Sequence, residues 1–259
     1  QTIIQAGAAL GNFANNNNAI DVVTLFMLQS KNPITYISTT GSSENLRANL
    51  RSALGDSAYD DTFTTISSSI RFFDQFADPR KTSYSWPRSM GEAQDAFAQG
   101  KLSMYLGYGS EIPDIQKRNP HLDFGVAETP QLSNQELKTY GKLYGLVLSG
   151  QSEPLMQSAG LLFINFLTGQ EPQTVIAKTF WVAPTLRALL ATPPEDAALA
   201  TIYASAVKNQ FWYDPQTEES GKILRTMTED AAFEQKSMES VVNEAHLKFQ
   251  RLLQTISLP

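Results

Sequence analysis

Apolar residues in this chain switch between helical and strand-like spacing several times. Ile20, Val23, Met27 and Leu28 recur at near-helical intervals behind Asn15 to Asn18, a run with helix-capping chemistry that also suits a plain turn or a ligand contact. Pro33 to Ser43 reads as loop or short β structure, and Glu44 to Leu54 as a short exposed helix stopped by Gly55. Between Asp60 and Ala77, Phe63, Ile66, Ile70 and Phe73 share one face, which predicts an amphipathic helix closed by Asp78-Pro79. A short helix follows from Glu92 to Ala98, with Ala93, Ala96 and Phe97 inward and Gly100 as its stop. Leu102 to Leu106 reads as a strand that ends at Gly107-Tyr108-Gly109. Ser110 is then placed to cap a second short helix with Glu111 in its first turn, and Leu122 to Ala127 is another strand candidate.

Ser133 to Thr139 is a polar insertion expected on the surface, and Leu143 to Ser149 a half-buried strand. Ser152 to Leu167 is the strongest helix. It has Ser at the cap, Pro154 in the first turn, apolar Leu155, Ala159, Leu162, Phe163 and Phe166, and Gly169 to end it. The breadth of that apolar surface predicts burial against more than one neighbour. Helices are also expected over Gln170 to Lys178 and Glu195 to Lys208, separated by the corner Phe180 to Thr185 and by Pro193-Pro194. Asn209 to Pro215 is an aromatic loop. The remainder reads as helices with Ile223, Met227, Ala231, Phe233, Val241, Val242, Ala245, Phe249 and Leu252 inside. Helices interleaved with short strands predict a helix-rich α/β fold.

Composition narrows the partners. The 259 residues suffice for one large domain or two modest ones. With no cysteine there are no disulfides, thiol nucleophiles or thiolate metal sites. A net charge of −6 argues against nucleic acid as a partner, because phosphate binding needs clustered Lys and Arg. The longest apolar window, Gly160 to Leu167, is far shorter than the ~20 residues a membrane-spanning helix needs.

Catalytic chemistry finds little support. His121 lies in a turn and His246 on a helix; neither accompanies a Gly-x-Ser-x-Gly elbow or a His-Glu-x-x-His pair, and no Gly-rich phosphate loop is complete. Glu111 with Asp114 or Glu128 could serve a glycosidase, but such spacings arise readily among 26 acidic residues. No catalytic residue, metal ligand or cofactor is therefore expected. Binding of a sugar asks for something else, namely aromatic faces against the C–H surfaces of the ring and polar groups for its hydroxyls. Trp86, Tyr108, Tyr144, Trp181 and Trp212 fall at loop or strand-end positions, with Asn17, Ser110, Glu111 and Arg187 nearby in sequence. Large aromatics also fill cores, so each ring has a purely structural reading too. Tyr108 stands first, directly after a strand and between glycines.

The runs Ala96-Phe97-Ala98-Gln99-Gly100-Lys101-Leu102-Ser103-Met104 and Phe124-Gly125-Val126-Ala127-Glu128-Thr129-Pro130 resemble the extracellular solute-binding proteins of family 1, sugar-binding components of ABC importers related to maltose-binding protein. So do Ala8-Ala9-Leu10-Gly11 with Asn15 to Asn18, Asp21 to Gln29, and the order of Tyr140 to Ser149, Ser152 to Thr168 and Phe180 to Thr185. Tyr144 stands where that family often has tryptophan. The resemblance implies a type II periplasmic-binding-protein-like fold, present mostly as its second lobe with helices of the first, and a chain shortened at its amino terminus. Residues 1–149 would be the second-lobe α/β segment, 150–208 first-lobe helices and 209–259 a return to the second lobe. It implies capture of a sugar or oligosaccharide between lobes that close about a hinge, and unchanged delivery to permease subunits. It also implies a place at the extracellular face of the cytoplasmic membrane or in the periplasm, with membrane contact only through a lipid anchor or the permease. An interaction module on the same fold, or a carbohydrate-active enzyme, are the alternatives.

Overall fold

The computed structural model describes residues 3–40, 47–55, 62–132, 136–232 and 236–254. From the amino terminus run β1 (Ala6–Ala8), α1 (Ala19–Gln29), β2 (Thr35–Thr40), β3 (Arg47–Ser52), α2 (Thr62–Asp74), α3 (Ala93–Ala98) and β4 (Leu102–Met104). Next come α4 (Ile112–Arg118), β5 (Thr139–Tyr140), α5 (Pro154–Leu167), α6 (Gln170–Phe180), α7 (Arg187–Leu190) and α8 (Ala197–Val207). β6 (Asn209–Gln210), α9 (Thr217–Ala232) and α10 (Met238–Gln254) complete the order. β1 lies parallel to β4, with Ala6 opposite Leu102, and β2 lies antiparallel to β3, with Thr35 opposite Ser52 and Thr40 opposite Arg47. β5 and β6 form a third two-stranded sheet.

Contacts divide the chain into two units, one of residues 1–106, 131–140 and 210–259, the other of 107–130 and 141–209. These boundaries differ from the expected 1–149, 150–208 and 209–259, since the second unit also takes in 107–130 and 141–149.

The first unit owes its core to helices that are apolar around most of their circumference. α1 buries Ala19, Val22, Val23, Thr24, Leu25, Phe26, Met27 and Leu28, so it packs against α2, α9 and β5 rather than lying on a surface. Val23 and Met27 share a cluster with Ile66, Ile70 and Phe73 of α2, Leu224 and Met227 of α9, and Val242 and Phe249 of α10. Each such fully buried side chain contributes about 1.5–3 kcal/mol relative to exposure. Ile66, Ile70 and Phe73 face inward as their spacing predicts. In α10 it is Leu253 that is buried, and Leu252 is half-buried, one position off the expected register. Phe233 and Ser133 lie outside the described residues, as does the side chain of Phe63.

Two expectations about strands are corrected. The segment read as a helix over Glu44 to Leu54 contains β3, because Arg47–Ser52 pairs residue by residue with the Thr- and Ile-rich β2. Cross-strand pairing outweighs the helix preference of Ala, Leu and Arg there. Leu122 to Ala127 and Leu143 to Ser149 carry no ladder, since no strand among the described residues pairs with them. Tyr144 and Val147 are 87% and 89% exposed rather than half-buried.

In the second unit Ala177, Leu199 and Tyr203 form a small core, flanked by Trp181, Ala183, Leu190 and Ile202. α5 forms as predicted, with Glu153 as the N-cap in place of Ser152, and packs on α6. None of its residues is buried, and Leu155, Leu162, Phe163 and Phe166 are more than half exposed. Burial against several neighbours is thus not found for this helix. Among the described residues no helix is long and apolar enough to cross a membrane.

Candidate functional site

In the second unit the chain turns sharply at Tyr108. Its backbone is extended (φ −91°, ψ 149°) and leads into a 3-10 turn, Gly109–Glu111, and then α4. Two hydrogen bonds lock the turn: Glu111 donates its N–H to the Tyr108 carbonyl at 3.0 Å, and Glu111 Oε2 accepts the Tyr108 N–H at 3.2 Å. Glu111 thus holds the backbone of Tyr108 from both its own N–H and its carboxylate. The half-buried Tyr108 ring lies under Lys142, whose Nζ is 5.0 Å from the ring centroid, within cation–π range.

Gly109 explains why this corner has room for nothing larger. A Cβ there would sit 2.4 Å from Ile202 Cδ1 and 2.6 Å from the Trp181 carbonyl oxygen. Trp181 itself adopts the left-handed conformation (φ 53°, ψ 48°) that ends α6, a costly geometry for an aromatic residue. Tyr108 therefore meets Glu111 and Lys142, while its neighbour Gly109 is pressed against Trp181 and Ile202. Ser110 is exposed beside them, Arg187 is exposed at the start of α7, and Tyr144 is almost fully exposed. Glu128 and Lys208 form an ion pair in the same unit.

The first unit encloses the other two tryptophans. Trp86 is 0% exposed; its indole N–H donates to Asn15 Oδ1 at 2.9 Å and its carbonyl accepts from Asn12 Nδ2 at 2.9 Å. Trp212 is 8% exposed and packs edge-on against Phe249, with ring centroids 5.9 Å apart. Packing occupies the faces of both rings. The asparagine run turns out to be a structural hub. Asn15 Nδ2 donates to the Pro87 carbonyl, Asn16 Nδ2 to the Ala9 carbonyl and Asn18 Nδ2 to the Tyr105 hydroxyl, while Asn17 is exposed. Near Trp212, burial and the carboxylates of Asp21 and Asp214 push the Tyr140 hydroxyl up to about 12.

A cleft of about 970 Å³ also opens in the first unit, lined among others by Arg71, Asp74, Lys81, Tyr84, Arg88 and Glu229. Burial pushes the Asp74 carboxyl up to about 8, and its Oδ1 is enclosed without a hydrogen-bond partner among the described residues. Sequence reasoning passed over this residue. The available signal was an acid in the last turn of a helix, one turn after the buried Ile70, where the helix dipole favours a cation.

The family description of bacterial extracellular solute-binding proteins matches residues 4–201. The chain belongs to that family. No curated protein matches it. For an extracellular solute-binding protein the relevant chemistry is recognition of a small molecule, and the helix-rich α/β architecture agrees with that membership. The matched span includes Trp86, Tyr108, Glu111, Lys142 and Trp181, and stops before Trp212. Among the described residues no group of three or more His, Cys, Asp or Glu side chains is placed to hold a metal ion.

Proposed function

We propose that this extracellular solute-binding protein is the ligand-capturing component of an ABC importer, that its solute is a sugar or oligosaccharide, and that it passes the solute unchanged to a membrane permease. Family membership over residues 4–201 carries the solute-binding part of this reading. The sugar assignment rests on the corner at Tyr108. There an aromatic ring, a carboxylate at Glu111 and an ammonium at Lys142 come together on a fixed backbone. Aromatic rings take up the C–H faces of pyranoses, and charged groups take up hydroxyls. Trp181, Ser110, Arg187 and Tyr144 belong to the same unit and extend the set of available contacts. The type II periplasmic-binding-like fold, the extracellular or periplasmic location and a lipid anchor belong to the same reading.

Calorimetric titration of the full chain with a panel of mono- and oligosaccharides, amino acids and short peptides tests it. Saccharide binding that weakens about tenfold, or ~1.4 kcal/mol, in Tyr108→Ala supports the assignment. Binding of a different solute class overturns the sugar assignment, and saccharide binding indifferent to Tyr108→Ala overturns the site.

A further inference from the structure

We propose that the outer face of α5 is an interface for a second copy of this chain, with the two α5 helices packed antiparallel across a two-fold axis between Gly160 and Leu161. α1 and α5 are both predominantly apolar, yet α1 buries eight of its 11 residues and α5 buries none. The two sides of α5 differ. Gln157, Gly160, Ile164 and Leu167 recur at helical spacing and are half-buried, on the side that packs within the unit: Leu148 sits on Gly160, where a Cβ would lie 2.5 Å from Leu148 Cδ2. The opposite side presents Leu155, Ala159, Leu162 and Phe166, all exposed, the three larger ones at 74%, 71% and 63%.

Three features fit that stripe to its own copy. Its steps of four, three and four residues are those of a coiled-coil seam, so the surface suits another helix. In an antiparallel pair Leu155 meets Phe166 of the second copy and Ala159 meets Leu162 of the second copy, and both contacts recur on the other side of the axis, as an isologous interface requires. Ala159 is small enough to leave room for the leucine opposite. Charge points the same way. Glu153 is the only charged residue from Leu143 to Gln170, so the face meets itself without like charges opposed, and antiparallel helices set each positive dipole end beside a negative one. With Met156 and Phe163 flanking the seam, the exposed apolar side chains amount to roughly 400 Å² per copy, the size of a weak, reversible association rather than an obligate one.

Sedimentation equilibrium of the full chain without saccharide tests this at protein concentrations from about 1 to 100 μM. The expected result is a monomer–dimer equilibrium that Leu162→Glu weakens at least about tenfold. Leu155→Lys alone should weaken it as well. Adding Phe166→Glu to Leu155→Lys should restore association, because the antiparallel register sets each new cation opposite a new anion, whereas a parallel register would oppose like charges. All of these positions are exposed in the single chain, and melting of each variant establishes that it is folded. A chain that stays monomeric over the whole range overturns the proposal, as does a dimer indifferent to Leu162→Glu, and failure of the double variant to associate overturns the antiparallel pairing. A monomer that instead floats with phosphatidylcholine vesicles gives the face to lipid and equally overturns it. None of the substituted residues belongs to the solute contacts proposed around Tyr108, so self-association and saccharide binding are decided separately.

Discussion

The indole N–H of Trp86 donates to Oδ1 of Asn15 at 2.9 Å, although the two residues lie far apart in the chain. The same asparagine gives its amide hydrogens to the Pro87 carbonyl at 3.1 Å, and its own carbonyl accepts the Ala93 N–H at 2.9 Å. One side chain thus ties the turn before α1 to the loop before α3. Asn15→Ala leaves a buried indole N–H and a carbonyl without partners, and should lower stability by about 1–3 kcal/mol. Trp86→Ala should cost about 3–5 kcal/mol through the cavity it opens. Chemical denaturation measures both. A loss below ~0.5 kcal/mol for Trp86→Ala would mean that the ring is not part of the core.

Gly109 gives the Tyr108 corner its shape, and a single methyl group probes it. In Gly109→Ala the new Cβ meets both the flexible end of Ile202 and the rigid carbonyl of Trp181. Ile202 can rotate away. The carbonyl can move only if the backbone of the α6–α7 connection moves with it, so the variant should lose about 1–3 kcal/mol of stability. It should also bind solute more weakly than the wild type while Tyr108 itself is intact. Unchanged affinity with unchanged melting would show that the corner tolerates the displacement.

Asp74 makes stability depend on pH in a direction opposite to that of most carboxylates. Its folded value of about 8 lies above the ordinary 3.8, so between these limits the folded chain keeps a proton that the unfolded chain has released. The stabilisation is complete below pH 4, declines as pH rises, and is lost once pH passes 8. Asp74→Asn stands for the protonated form at every pH. The variant should therefore gain on the wild type from pH 5 to pH 8 by more than about 1.4 kcal/mol, and the gap should then stay level. Denaturant midpoints measured for both proteins across that range decide it, and a gap that does not change with pH contradicts the buried, unpartnered state.

Much of the architecture is legible wherever one helix face carries the apolar residues. Ile66, Ile70 and Phe73 point inward as their spacing requires, and Pro154 and Gly169 bracket α5 as start and stop signals. β3 is not legible, because Arg47–Ser52 has no strand-like composition and becomes a strand only through its partner β2. The candidate site divides in the same way. The glycine–aromatic–glycine pattern coincides with the turn at Tyr108, but sequence alone gives no means of telling a sealed tryptophan from an open one. Trp86 and Trp212 are enclosed by residues distant in the chain, whereas Trp181 is left half-buried by the left-handed end of α6. Lys142 and Asp74 were invisible for a related reason. Each matters through a neighbour, the Tyr108 ring or the cleft wall, that lies outside its own stretch of sequence.

The first unit is assembled from three separate stretches, and its main core places Met27 and Phe73 in one cluster with Leu224 and Phe249. During synthesis the early helices therefore emerge long before the carboxy-terminal pair that covers them, with the whole second unit made in between. Closure of that core is a late, non-local event, and such pairings fold slowly. Truncation within α10 should thus leave a chain that is made in full up to the cut yet never closes its oldest part.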